Sequence, residues 1–522
     1  MSSRGIIDFD SNGLDELLRK WGLRKTWISI LATHLQSFKD LDYVLQSKEF
    51  KGAKILPKDL IEGLSVGEIG VLYEYSHANI DANSRKSNGQ FFTPDDVAKF
   101  MVSFAKTFPE GIWLDPCSGI GNLSWHLVAS QANPEEFLIN QMLMSDKDKI
   151  ALLIARTLLT ASFQVNHKNL FHEIEDNFIC FDFLSVSDDK FADLLTDGKG
   201  LDWMPAHDFV IVNPPYLATA QDSRFETSKA GDLYAYFLEN IIKTSKGFIS
   251  ITPQSFTNAT KFKQLRSLLL RKYSNLTIYN FDNVPGNIFR GIKFGSQNTN
   301  TANSIRAAVT IARPGMGSHK ISSLMRWKSH ERQMLFREAK NFLSSAPLTD
   351  EFFPKVGKKY QDLYMRANCL PKLRTICSPT RTDYPLYIPS SPRYFIPALK
   401  KPVKRSSQHE IFFYSEKERD RAYLLINSSF MYWWWRVRDG GMTLSQETLY
   451  SLPLPTFRQN AKIVKLLEDS ELVNKVYKQN AGSPQENVKH SKDLLRKVNQ
   501  LVCPDFADLL LMTHENSEIT QI

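Results

Sequence analysis

From residue 89 onward the chain alternates short apolar runs with amphipathic stretches. The runs end at Leu114, Met144, Phe181, Val212 and Ile251. Between most of them lie segments whose apolar positions recur three and four residues apart. Residues 150–159 form one such segment. Residues 233–242 form another, with Leu233, Phe237 and Ile241 on one face. Short apolar runs separated by helices predict a parallel sheet with helices on both faces. Ligands in such sheets bind beyond the carboxyl ends of the strands. A polar residue follows each of four runs, namely Asp115, Asp146, Asp182 and Asn213, so the pattern points to a site there.

The pattern differs on either side. Up to residue 88 the chain reads as helical, with Leu14, Leu17, Leu18 and Trp21 at helical spacing. The polar stretch 76–88, rich in Asn, Ser and Lys, predicts a linker or loop. After residue 315 the alternation fades into a segment rich in Pro, Tyr and basic residues, which predicts mixed, loop-heavy structure. Residues 460–511 read as helical, interrupted at Gly482-Ser483-Pro484. The expected organisation is therefore a helical N-terminal region (1–88), an α/β domain (89–315), a mixed C-terminal domain (316–459) and a helical tail (460–522).

A chain of 522 residues suits roughly two or three domains. Its 42% hydrophobic content is enough for packed cores. No apolar run approaches a membrane span, and Met1-Ser2-Ser3-Arg4 leading into Asp8 and Asp10 lacks a signal-peptide core. Five cysteines, an odd count without metal-ligand spacing, predict reduced thiols in a cytoplasmic protein with no metal and no membrane association. The net charge of +9, from 65 Lys+Arg against 56 Asp+Glu, favours a polyanionic partner if charge and chemistry share a cleft.

Asp115-Pro116-Cys117-Ser118-Gly119-Ile120-Gly121-Asn122 follows a strand and opens a helix. Gly119 and Gly121 permit a tight turn and close approach of a ligand to the backbone. Asp115 adds an acceptor for a ligand amino group. Asp146 is placed to accept both hydroxyls of a ribose, or else to cap the helix that follows. Asp182, with Phe183 beside it, is placed to accept from an adenine amino group, or is a plain loop carboxylate. Upstream, Thr93 as N-cap, Pro94 at the first helical position and Asp95-Asp96 in the first turn make a helix start. Capping does not explain the preceding Gly89-Gln90-Phe91-Phe92.

Asn213-Pro214-Pro215-Tyr216 carries the chemistry. The lone pair of an exocyclic amino nitrogen is delocalised into its ring. If the Asn213 side-chain oxygen and the Pro214 carbonyl accept from both amino hydrogens, the nitrogen becomes pyramidal and nucleophilic. Tyr216 would stack on the base, and positioning would supply most of the rate. A duplex buries such a nitrogen, so the target must be flipped out.

The tetrapeptide resembles the catalytic motif of S-adenosyl-L-methionine-dependent amino-methyltransferases, in particular those that modify adenine N6 in DNA. The region from Gly89 to about Arg313 is similar to the gamma-order class of these enzymes, which places the cofactor motif first, the catalytic motif next and target recognition last. The resemblance implies a Rossmann-like AdoMet-dependent methyltransferase domain. It further implies that Gly89–Thr93 contacts the cofactor's methionine part. Within it, Asp115, Pro116, Gly119, Gly121, Asp146, Asp182 and Phe183 hold the cofactor, while Asn213, Pro214 and Tyr216 act in catalysis. An aromatic further on packs against the flipped base; Phe289, in Asn287-Ile288-Phe289-Arg290, fits best, with a core position as the alternative.

The carboxy-terminal third carries Lys355, Lys358, Lys359, Arg366, Lys372, Arg374, Arg393, Lys400, Lys401, Lys404 and Arg405. Tyr360, Tyr364, Tyr384, Tyr387 and Tyr394 are interleaved, which would suit a DNA groove. The segment 425–455 resembles the recognition domain of type II adenine methylases, with Trp433-Trp434-Trp435 expected in the core. The expectation is thus a monomeric adenine methylase acting on double-stranded DNA and paired functionally with a separate restriction endonuclease. The alternatives are an RNA or protein-glutamine methyltransferase, or a catalytically silent DNA-binding subunit.

Overall fold

The five apolar runs become neighbouring parallel strands, because residues buried on both faces of a sheet must be apolar without interruption. These are β1 (Trp113–Asp115), β2 (Met142–Asp146), β3 (Phe178–Cys180) and β4 (Phe209–Val212), followed by β5 (Gly247–Pro253). They pair in parallel in the order β3-β2-β1-β4-β5. β1 and β4 are buried along their whole length, whereas β3, at the edge, is not. Two further strands, β6 (Asn275–Phe281) and β7 (Ala307–Arg313), complete the sheet of this unit. β7 inserts antiparallel between β5 and β6. The strand order reverses between β1 and β4, which opens a crevice beyond their carboxyl ends.

The computed structural model describes residues 5–7, 11–80, 93–185, 206–289, 292–294, 305–392, 395–438, 443–480, 483–515, 517 and 519. Expectations for Met1–Arg4, Asp8, Asp10, residues 81–88, Gly89-Gln90-Phe91-Phe92, Arg290, Arg393, Tyr394 and Gly482 lie outside the described residues.

Two compact units emerge rather than the four expected segments. The first comprises Met1–His319, Ser329–Phe336 and Thr349–Glu351; the second comprises Lys320–Lys328, Arg337–Leu348 and Phe352–Ile522. Residue 88 is no division, because α1 (Ser11–Leu35) and α2 (Val66–Ile80) share one core with the α/β layer. Leu14, Leu18, Trp27 and Leu72 pack there with Ile154 and Leu158 of α5 (Lys149–Phe163). The expected linker from residue 76 is helical as far as Ile80, the end of α2. Three other helices frame the strands: α3 (Asp95–Val102), α4 (Asn122–Ala129) and α6 (Leu233–Thr244).

In the second unit, β8 (Cys377–Ser378), β9 (Pro385–Pro389) and β10 (Gln408–Phe413) form an antiparallel sheet in the order β8-β10-β9. The last five residues of α7 (Glu416–Ile426) and nearly all of α8 (Ser429–Arg438) are buried, and Trp433, Trp434 and Trp435 are buried as expected. Residue 459 is no division either. Asn499, on α10 (Lys492–Val502), is buried and accepts from the Ser429 amide at 2.9 Å. The tail's interruption is a β-hairpin, β11 (Lys475–Asn480) with β12 (Ser483–Val488), which joins α9 (Ala461–Val473) to α10. Among the described residues, no helix is long and apolar enough to cross a membrane.

Candidate active site

Because β3, β2, β1 and β4 are adjacent, the residues at their carboxyl ends meet in one crevice. Asp115 and Asp146 end β1 and β2, Asp182 follows β3 by two residues, and Asn213 directly follows β4. A cavity of about 230 Å³ lies among them. Of the expected site residues, Thr93, Asp115, Pro116, Gly119, Asp146, Asp182, Phe183 and Asn213 line it. Gly121, Pro214, Tyr216 and Phe289 do not.

The glycine loop is built by backbone geometry. Gly119 (φ 53°) and Gly121 (φ 82°) are both left-handed, a conformation that side chains resist. Gly121 caps α4, and a Cβ there would stand 3.1 Å from that of Ala155. Its role is thus to let the loop lie against α5, while Gly119 faces the cavity. The Gly119 amide donates to Asp146 Oδ2 at 2.8 Å, and the Asp148 amide donates to Asp146 Oδ1 at 2.9 Å. Capping of α5 falls to Asp148, which accepts from the Ile150 and Ala151 amides. Asp148 also accepts from Tyr73 Oη at 2.7 Å and pairs with His77, so α2 braces this loop.

Burial governs the electrostatics. It pushes the Asp115 carboxyl up to about 7, although the Ser124 hydroxyl and the Cys117 amide donate to it and pull the other way. Burial raises Asp146 too, against the two amides it accepts from. Two desolvated carboxyls in one cavity favour a ligand that brings hydrogen-bond donors or positive charge. Asp182 is exposed and accepts from the Leu184 amide at 3.0 Å. Phe183 is buried at 1% exposure, its ring stacked on Phe237 at 5.4 Å.

Thr93 differs from expectation. The helix begins at Asp95 with Pro94 in the cap position, and no side chain caps it. Instead Thr93 Oγ1 accepts from Asn213 Nδ2 at 3.0 Å. A threonine before a helix ordinarily caps it; here the hydroxyl orients the catalytic candidate. The Thr93 carbonyl in turn accepts from Asn122 Nδ2 at 2.6 Å. Cys117 closes the ring of contacts, because its thiol donates to the Asn213 carbonyl at 3.4 Å. Burial pushes that thiol well above its usual range, so the sulfur keeps the proton it donates. Cys117 and Asn122 were not singled out from the sequence. Their signal was position alone, two and seven residues after Asp115 in the loop.

Beyond Asn213, Pro214 is buried, and Tyr216 Oη donates to the Ile251 carbonyl at 2.9 Å. The Tyr216 ring meets Phe289 edge-on, 5.9 Å between centroids and 65° between planes. Phe289 is itself 4% exposed. The structure thus brings the two aromatic candidates together.

In the second unit the basic row is less open than its sequence suggests. Lys355 is buried, Arg366 pairs with Asp362 and Asp505, Arg374 with Glu447, and Lys400 with Asp420 and Glu468. Tyr360 and Tyr364 stack on Trp433 and Trp434. Lys358, Lys359, Lys401 and Lys404 are exposed.

Residues 140–289 match the protein family described as Eco57I restriction-modification methylase. The chain is 25% identical over 226 residues to the type II methyltransferase M.PstI of Providencia stuartii, covering 40% of this chain and 41% of that protein. It therefore spans well under half the length of this curated relative. Among solved structures, the DrdV–DNA complex is similar over 62% of this chain and 40% of that one, at 14% identity and a TM-score of 0.42. The type IIG restriction endonuclease BpuSI is similar over 97% of this chain and 77% of that one, at 12% identity and a TM-score of 0.39. Residues 140–289 are thus similar to a methylase domain of the restriction-modification kind.

Proposed function

We propose that this protein is a site-specific DNA methyltransferase that transfers a methyl group from S-adenosyl-L-methionine to adenine N6 in a short duplex sequence. Such transfer would protect DNA from a cognate restriction endonuclease. The observation that carries the proposal is the junction of the acid-lined cavity with Asn213, whose amide nitrogen is bonded to Thr93 and whose backbone is bonded to Cys117.

The donor set fits the cofactor. Asp115 would accept from its ammonium group, Asp146 from its ribose hydroxyls and Asp182 from its adenine amino group. Gly119 gives the backbone room, and Thr93, Pro116 and Phe183 close the walls. When bound, the cofactor supplies an electrophilic methyl group on a sulfonium sulfur. Everything else is done by the chain. Thr93 accepts from Nδ2 and so holds that end of the Asn213 amide, leaving Oδ1 at the other end. Asn213 Oδ1 and the Pro214 carbonyl would then accept from the two amino hydrogens of the target adenine. That interaction disfavours the planar, delocalised nitrogen and frees its lone pair. Tyr216 and Phe289 offer ring faces and edges to the flipped base, and their mutual contact holds both in place. Orientation of this kind is worth several powers of ten in rate.

The test is sequencing that detects methylated bases in DNA from cells expressing the protein or its Asn213→Ala variant. N6-methyladenine at one recurring sequence, absent with the variant, is the expected result. An unmodified genome with the wild type, or the same marks with the variant, would sink the proposal.

A further inference from the structure

Arg332 lies in Ser329–Phe336, a part of the first unit that belongs to neither the cofactor loops nor the catalytic tetrapeptide. Its guanidinium meets both carboxylate oxygens of Asp96, Nε facing Oδ2 and Nη2 lying 2.9 Å from Oδ1. The same group donates to two successive backbone carbonyls, from Nη1 to Asn287 at 2.9 Å and from Nη2 to Ile288 at 2.6 Å. A planar fork with five donors is the one side chain that can serve all these acceptors together.

The two ends of this clamp matter. Asp96 stands in the first turn of α3, three residues after Thr93, which holds the Asn213 amide. Asn287 and Ile288 directly precede Phe289, and Asn287 Oδ1 accepts from the Phe289 amide at 2.8 Å. Phe289 meets the ring of Tyr216. One guanidinium therefore ties the loop that carries Phe289 to the first turn of α3, directly after the Thr93 that orients Asn213. Arg332 does not line the acid-bearing cavity. An isolated exposed ion pair would add little. Here, however, the side chain is only 17% exposed and its carbonyl partners belong to residues that are themselves buried.

We propose that Arg332 is a positioning residue for the acceptor base: through Asp96 and the carbonyls of Asn287 and Ile288 it sets the stacking ring of Phe289 in register with Asn213. This rests on the methyl-transfer reading above and adds to it a residue about which the tetrapeptide says nothing. Arg332 does not line the cavity proposed for the cofactor, so its loss should spare cofactor binding and impair the hold on the extruded base.

The test uses the full chain and two duplexes carrying the sequence found by methylation-detecting sequencing: one with the target adenine, on which kcat is measured, and one with 2-aminopurine in its place, which lacks the 6-amino acceptor and reports base extrusion only. With the wild type, fluorescence rises as the base leaves the stack. Arg332→Gln should lower kcat about tenfold to a hundredfold, as for a misplaced reacting partner, and at least halve the fluorescence rise. Affinity for S-adenosyl-L-methionine should stay within about twofold, which also shows that the variant folds. Asp96→Asn should fall in between, and the double variant should be no worse than Arg332→Gln alone, as expected of partners in one contact. Arg332→Lys, which keeps the charge but not the fork, should recover only part of the signal. Wild-type kcat and fluorescence in both single variants would overturn the assignment. So would a parallel loss of cofactor affinity in both, which would mark a general loosening. A wild type that binds the cofactor but marks no adenine would instead overturn the methyl-transfer reading.

Discussion

Replacing Asp115 with Asn should stabilise the cofactor-free protein and weaken its hold on the cofactor. Asp115 is 1% exposed at the end of β1, and burial raises its carboxyl from an ordinary 3.8 to about 7. A raised carboxyl binds its proton more tightly in the fold than in the unfolded chain. Above pH 7 the group is ionised in both states, and holding that charge in the fold costs on the order of 4 kcal/mol, three units at about 1.4 kcal/mol each. The cost shrinks as pH falls from 7 toward 4, where the buried carboxyl is protonated, and is absent below the unfolded value. Asn is nearly isosteric, can still meet the Ser124 hydroxyl and carries no charge. Urea unfolding should therefore show Asp115→Asn more stable than the wild type at pH 8, by up to about 4 kcal/mol, with the gain reduced by more than half near pH 5. Calorimetric titration should show S-adenosyl-L-methionine bound roughly tenfold to a hundredfold more weakly, the worth of a charge-assisted bond to the ammonium. Equal stability of the two proteins at pH 8, or a difference independent of pH, would refute the reasoning.

Thr93→Val should lower kcat about fivefold to tenfold, the worth of one hydrogen bond to Asn213, with Thr93→Ser near wild type; a variant that lost helix stability but no turnover would return Thr93 to a capping role. Gly121→Ala should destabilise the fold by about 1–3 kcal/mol, because a left-handed residue gains a Cβ against Ala155, and an unchanged melting temperature would contradict that account. In the second unit, burial lowers His490 from 6.5 to about 4. A histidine kept neutral in the fold contributes stability that is lost as pH falls below 6.5, about 3 kcal/mol by pH 4. His490→Gln should flatten that part of the stability profile, and an equally steep profile in the variant would argue against the assignment.

Much of the first unit could be read in advance because its physics is local. Parallel strands buried on both faces must be uninterrupted apolar runs, so Phe209–Val212 and Gly247–Pro253 announced themselves. The acids after β1, β2 and β3 stand together only because those strands are neighbours, and the regular alternation made that pairing predictable. What remained hidden depended on contacts distant in sequence. Thr93 has every local mark of a cap, yet its partner lies 120 residues away at Asn213. Arg332 meets Asp96 across 236 residues. The basic row of the second unit reads as an open charged face until Arg374 is seen beside Glu447 and Lys400 beside Asp420. Ser483-Pro484 signalled a break in the tail, but residues that end a helix can equally begin a hairpin strand, as these do in β12.

The most direct test is to incubate the purified chain with S-adenosyl-L-methionine labelled in its methyl group and unmethylated duplex DNA, then identify the labelled nucleoside by mass spectrometry. The account predicts label in N6-methyldeoxyadenosine with the wild type and none with Asn213→Ala, which should still bind the cofactor. Label in N4-methyldeoxycytidine, or undiminished transfer by the Asn213→Ala protein, would contradict it.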